Sequence, residues 1–102
     1  MTIEETYEKY KQVTNMTYTE LLRWSATQLS TMASLDRSPI NRNLRLLRKP
    51  LKKWTENDAK DARRTIAFVS RMRKVPKGKR IGGRYSKRDI SLKNWAYDPF
   101  KK

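Results

Sequence analysis

A chain of 102 residues is the size of one domain, and a domain this small buries only about 60–65% of the surface its unfolded chain exposes. Its 25 Lys and Arg against 10 Asp and Glu give a formal charge of +15, far beyond the net charge of about 2–8 that solubility favours, and self-repulsion at that density argues for a polyanionic partner. With neither cysteine nor histidine, disulfides, thiolate metal sites and imidazole chemistry are excluded, and no apolar run approaches the ~20 residues of a membrane span.

The first predicted helix runs from Ile3 to Val13, where Ile3, Tyr7, Tyr10 and Val13 form one apolar stripe. Its polar, acidic opening, MTIEETYEKY, does not resemble a signal peptide, so the expectation is a soluble cytoplasmic protein without metal or cofactor. A second helix starts at TYTE, with Thr17 as cap and Glu20 three residues on. Its Leu21, Leu22, Trp24, Ala26, Leu29 and Met32 suit one buried face, and the helix is expected to end between Ser30 and Ser34. Trp24 reads as core.

At SPI, Ser38 is placed to cap a third helix and Pro39 to occupy its first position. Ile40, Leu44 and Leu47 form its stripe, Arg42, Arg45, Arg48 and Lys49 take the other faces, and Pro50 ends it. After the linker LKKW, Thr55 caps a long fourth helix whose Glu56 and Asp58 favour the positive end of its dipole. Its buried stripe is Ala59, Ala62, Ile66, Val69 and Met72, with Phe68 widening it. The small Ala59 and Ala62 admit close approach of another helix, and the last turn is basic, with Arg71, Arg73 and Lys74.

VPKGKRIGGRY, residues 75–85, breaks the helical pattern with one proline and three glycines and brings Lys77, Lys79, Arg80 and Arg84 without an acid. It contains no phosphate-cradling glycine motif. SKRD then restarts a helix, with Ser86 as cap, Asp89 as capping-box acid and Lys87 and Arg88 between them. Ile90, Leu92, Trp95 and Tyr97 anchor it, Asp98-Pro99 marks the stop, and residues 100–102 form a tail. No strand-like alternation is visible. The expected fold is all-α: one basic helical domain over residues 1–102, a bundle of about five helices with a basic, glycine-containing loop at 77–88 before the last helix.

Charge is distributed unevenly. Residues 1–34 carry 3 basic and 4 acidic side chains, so the entire surplus lies after Ser34. Such asymmetry implies a basic face or arm and points to nucleic acid, although charges that merely decorate solvated helix faces are the plain alternative.

VTNMTYTELLRW, KDARRTIAFVSRMRKVP and above all SLKNWAYDP resemble a family of small uncharacterised proteins of bacteria, archaea and phages, some of them labelled DNA-binding. The resemblance covers roughly Val13 to Pro99 and implies a binding role, in a phage setting for some members, with no active site to carry over. The chain departs from the family where Ala96-Tyr97 replaces a common Gly-His, and in a more basic SLDRSPINRNLRLLRKP stretch. Alanine in place of glycine implies that residue 96 need not be left-handed.

The leading functional expectation is a non-enzymatic, sequence-tolerant binder of double-stranded DNA, nucleoid-associated in that case. Phosphates would be met by Arg42, Arg45, Arg48, Lys49, Arg71, Arg73, Lys74, Lys77, Lys79, Arg80, Arg84, Lys87 and Arg88. RNA or ribosome association would add stacking aromatics, for which Tyr85, Tyr97 and Phe100 are candidates. A basic module or inhibitor that docks on an acidic host protein is the third possibility. An enzyme is the weakest, because Asp58, Asp61 and Asp89 read as dipole partner, ion-pair partner and cap, and leave no set of carboxylates for a metal-dependent nuclease.

Overall fold

In the computed structural model, which describes residues 1–101, the chain forms five α-helices and one small hairpin. The elements are α1 (Ile3–Val13), α2 (Tyr18–Ser25), α3 (Ser38–Arg48), α4 (Glu56–Met72), β1 (Arg80–Gly82), β2 (Tyr85–Ser86) and α5 (Lys87–Asn94), with short 3₁₀ turns at Leu29–Thr31 and Leu51–Lys53. Four helices begin with a reciprocal capping box: Thr2 with Glu5, Thr17 with Glu20, Thr55 with Asp58, and Ser86 with Asp89. Each box satisfies two backbone N–H groups that a helix start would otherwise leave open.

Helix α1 lies along α4, which the small, fully buried Ala59 and Ala62 permit. Beside them Tyr10, Leu46 and Trp54 pack into one cluster, with the rings of Tyr7 and Tyr10 edge-on to Trp54 at 5.1 and 5.7 Å. Further along α4, Val69 meets Val13 and Leu92. A separate cluster of Met16, Leu21, Trp24, Ile40, Ile90 and Ala96 joins α2, α3 and α5.

Two buried asparagines cross-link these layers. Asn43 Oδ1 accepts from the hydroxyls of Tyr10 (2.8 Å) and Thr65 (2.9 Å), while its Nδ2 donates to the Pro39 carbonyl. Burial there pushes the Tyr10 phenol above its ordinary pKa. Asn94 Oδ1 accepts from Trp24 Nε1 at 2.7 Å, and its Nδ2 donates to the Ser30 carbonyl at 3.1 Å.

Several expectations are corrected. The fold is mostly α rather than all-α, because Gly83, at φ +56°, turns the basic loop into an antiparallel ribbon that pairs Gly82 with Tyr85; the segment is too short to show alternation. Helix α2 stops at Ser25 and gives way to turns closed by Thr27 and Ser30 hydroxyls bonding to Trp24 and Thr27 carbonyls. Met32 is consequently exposed. Ser38 lies inside α3 and caps nothing; Asp36 Oδ1 instead accepts its N–H. The buried face of α3 is Ile40, Asn43 and Leu46, rotated from the expected stripe because the polar hub at Asn43 takes the centre, and Leu44 and Leu47 are half-buried.

Helix α5 ends at Asn94, well before Asp98-Pro99. Ala96 is left-handed after all, at φ +65°. Its N–H donates to the Lys93 carbonyl and that of Tyr97 to the Leu92 carbonyl, the paired bonds of a Schellman cap. The Ala96 carbonyl then accepts from the N–H groups of Asn15 and Met16. Asn15 completes the clasp, since its Oδ1 accepts from the Asp98 N–H (2.6 Å) and its Nδ2 donates to the Asp98 carbonyl (3.0 Å). Of the expected tail, Phe100 is half-buried, and Lys101 Nζ bonds to the Asn15 carbonyl and to Glu20; Lys102 lies outside the described residues.

Replacing Asn94 by Ala would strand a buried indole N–H and a carbonyl at once. Asn94→Ala is therefore expected to cost roughly 2–4 kcal/mol, read as a lower urea midpoint at unchanged m-value.

Candidate nucleic-acid interface

The thirteen cations expected to meet phosphate separate into two groups. Four of them are engaged with carboxylates. Arg45 bonds to Asp58 (3.3 Å) and Asp61 (2.5 Å), and Lys49 reaches Asp58 at 2.7 Å. Lys77 and Arg88 flank Asp89 at 2.9 and 3.1 Å. These side chains staple α3 to α4 and the basic loop to α5, so part of their charge is spent inside the fold.

The other nine, Arg42, Arg48, Arg71, Arg73, Lys74, Lys79, Arg80, Arg84 and Lys87, have no carboxylate partner among the described residues. All but Arg42 are exposed. Seven of them fall between Arg71 and Lys87: Arg71 on the last turn of α4, Arg73 and Lys74 just past it, Lys79 before β1, Arg80 on β1, Arg84 in the β1–β2 turn and Lys87 as the first residue of α5. Arg42 and Arg48 stand apart on α3. Arg42 lies over the ring of Trp95 (5.3 Å), with its Nε buried and unpartnered. Arg48 lies over Tyr18 (5.8 Å) at an open cleft of about 520 Å³, which Leu44, Lys49, Pro50 and Lys53 also line.

Aromatic rings organise much of this charge. Trp95 stacks on Phe68 at 4.3 Å and 15°, with Arg42 on one ring and Arg71 (5.8 Å) on the other, while Arg73 covers Tyr97 at 5.1 Å. At the ribbon, Arg84 and Lys77 approach the Phe100 ring at 4.1 and 4.4 Å, and Tyr85 sits edge-on to Phe100 and beside Trp24. Each such contact contributes about 0.5–1 kcal/mol at an exposed site. Together they hold guanidinium groups in place.

Asp89 is the structural centre of the loop. Its side chain is wholly buried and accepts from the Ser86 N–H (2.9 Å), Lys77 Nζ and Arg88. Arg88 reaches on to the Val75 carbonyl (2.9 Å), and Lys77 to that of Arg84 (2.8 Å). Asp89 is identifiable in the sequence as a cap but not as the tie between loop and helix. Lys93 was missed altogether: its Nζ sits 4.2 Å over Trp24 and donates to the Tyr85 hydroxyl at 3.1 Å, and nothing local in SLKNW marks partners that come from α2 and β2.

Comparison with protein families, with curated proteins and with solved structures gives no match. No described helix is long and apolar enough to cross a membrane.

For Asp58 and Asp89, burial pushes the carboxyl pKa upward, but hydrogen bonds from Lys49 and Thr55, and from Lys77, Ser86 and Arg88, outweigh it and bring both to about 2 from the ordinary 3.8. A depressed folded-state pKa contributes stability that is complete above the unfolded value and lost as pH falls through the folded one. Thermal stability is therefore expected to fall as pH drops from about 4 to about 2, with a weaker decline in Asp89→Asn; circular dichroism melts across that range provide the measurement.

Proposed function

We infer that the protein is a non-enzymatic, sequence-tolerant binder of double-stranded DNA. The observation that carries this reading is the group of seven cations between Arg71 and Lys87 without carboxylate partners among the described residues, around a loop that Lys77 and Arg88 tie to buried Asp89. Preorganised guanidinium and ammonium groups lose little freedom on meeting a phosphate backbone, and their counterion release supplies affinity without reading sequence. The resemblance of SLKNWAYDP and its companion stretches to a family with DNA-binding labels, phage members among them, supports the same conclusion.

The aromatic residues favour a duplex over single-stranded RNA. Tyr85, Tyr97 and Phe100 are half-buried, and each has an arginine or lysine near its ring. Rings engaged in this way are poor platforms for splayed bases, which need an open face. A second reading, docking on an acidic protein, rests on the cleft beside Arg48 and Lys53, whose floor of Leu44 and Pro50 a phosphate backbone would not use. Retention of a partner after nuclease treatment would favour that reading.

The test is a salt titration of duplex binding by fluorescence anisotropy. With roughly six to eight phosphates neutralised, log affinity should fall with log salt at a slope of about −5 to −7. A flat dependence would overturn the proposal. Substituting Lys79, Arg80 and Lys87 together by Ala should reduce the slope by about 2.7 while the melting curve stays in place, whereas Arg45→Ala should lower stability more than it changes the slope.

A further inference from the structure

Phosphate contact leaves one feature of the basic loop unused. In the ribbon Arg80 pairs with Ser86 and Gly82 with Tyr85, so Ile81 is an extra residue on β1 with no opposite number. A bulge of this kind interrupts the ladder and re-aims its side chain. Ile81 is 40% exposed, in a loop whose Lys79, Arg80 and Arg84 are all exposed and without carboxylate partners among the described residues. Leu22, Met32, Leu35 and Val75 are exposed to the same or a greater degree, so what sets Ile81 apart is its bulged position among those cations.

The exposure is not a product of a loose loop. A Cβ at Gly82 would lie 2.3 Å from Leu29 Cδ2, so the strand backbone lies directly against the Leu29–Thr31 turn. Gly83 makes the turn, Lys77 ties Arg84 to Asp89, and Arg88 ties Val75 to α5. Ile81 is thus presented from a seated ribbon between cations.

We propose that the β1–β2 ribbon enters the DNA minor groove, with Ile81 as an apolar wedge at a base step and Arg80, Lys79 and Arg84 along the groove and its flanking phosphates. This rests on the duplex-binding reading and adds to it a groove and a deformation. Minor-groove proteins insert apolar wedges that unstack a base step, bend the duplex and open the groove to them, and flexible pyrimidine–purine steps such as TA yield to such a wedge most easily. A modest preference for A·T-rich, easily deformed DNA follows without hydrogen-bond readout of bases.

The test uses the full chain with end-labelled duplexes of about 30 bp, one A·T-rich and one G·C-rich. Netropsin serves as the minor-groove probe and methyl green as the major-groove probe. Saturating netropsin is expected to weaken binding to the A·T-rich duplex by about tenfold or more, with methyl green without effect. End-to-end energy transfer should report a bend that Ile81→Ala abolishes while leaving the salt slope and the helical circular dichroism spectrum unchanged. Duplex binding that netropsin does not touch, or a bend that survives Ile81→Ala, would overturn the ribbon's role and leave the duplex reading standing. Absence of binding to both duplexes at low salt would overturn the duplex reading itself.

Discussion

The side-chain amide of Asn94, held between Trp24 Nε1 and the Ser30 carbonyl, is the contact on which the C-terminal half of the molecule depends. Helix α5 has only eight residues, below the ~12–15 at which isolated helices become marginally stable. It persists because its ends are tied elsewhere. Asn94 fixes the last turn to α2 and the 3₁₀ segment, the Schellman cap at Ala96 turns the chain back, and Asn15 receives Asp98. Left-handed backbone costs an alanine of the order of 1–2 kcal/mol. The carbonyl bonds and burial obtained at Ala96 offset that strain, which explains how the chain does without glycine there.

The basic loop inherits its order from this anchor. Asp89 lies three residues into α5 and reaches back to Ser86, Lys77 and Arg88, so loop geometry is transmitted through α5 to the core. A loop with three glycines and no acid would, without that tie, lose its preorganisation to conformational entropy. Two cations are spent on Asp89 so that others nearby can be presented in fixed positions. The same division holds at α3, where Arg45 and Lys49 satisfy Asp58 and Asp61 while Arg48 has no carboxylate partner among the described residues.

Local signals were legible wherever the governing interaction is local. Thr17 with Glu20, Thr55, and Ser86 with Asp89 mark helix starts because a capping box spans only four residues, and the Ile3–Val13 and Ala59–Met72 stripes follow from helical periodicity. Failures occurred where a distant partner decides. The expected stripe of α3 missed Asn43 because a buried polar hub cannot be inferred without Tyr10 and Thr65 beside it. Ala96 went wrong because its left-handed backbone is held in part from the α1–α2 connection, where the N–H groups of Asn15 and Met16 donate to its carbonyl. The candidate interface was legible as a list of cations, but which of them remain free depends on where the few carboxylates fold.

The carboxylates divide in the same way. Glu5, Glu20, Asp36, Asp58 and Asp89 are taken up by backbone caps, and Glu56, Asp61 and Asp98 by ion pairs, which leaves Glu4 and Glu8 of α1 as the exposed carboxylates without partners among the described residues. Ile3 packs with Trp54, near the start of α4, and Val13 with Val69, near its end. Glu4 and Glu8 therefore stand toward the start of α4, a helix about 25 Å long, but exposed Lys9 and Lys52 lie beside them and Lys53 and Lys60 are close by in the chain. Opposite charges so close together largely cancel within the Debye length of about 8–10 Å at physiological salt, whereas residues 75–88 contain no acid, and the cations there that Asp89 does not engage keep their positive field.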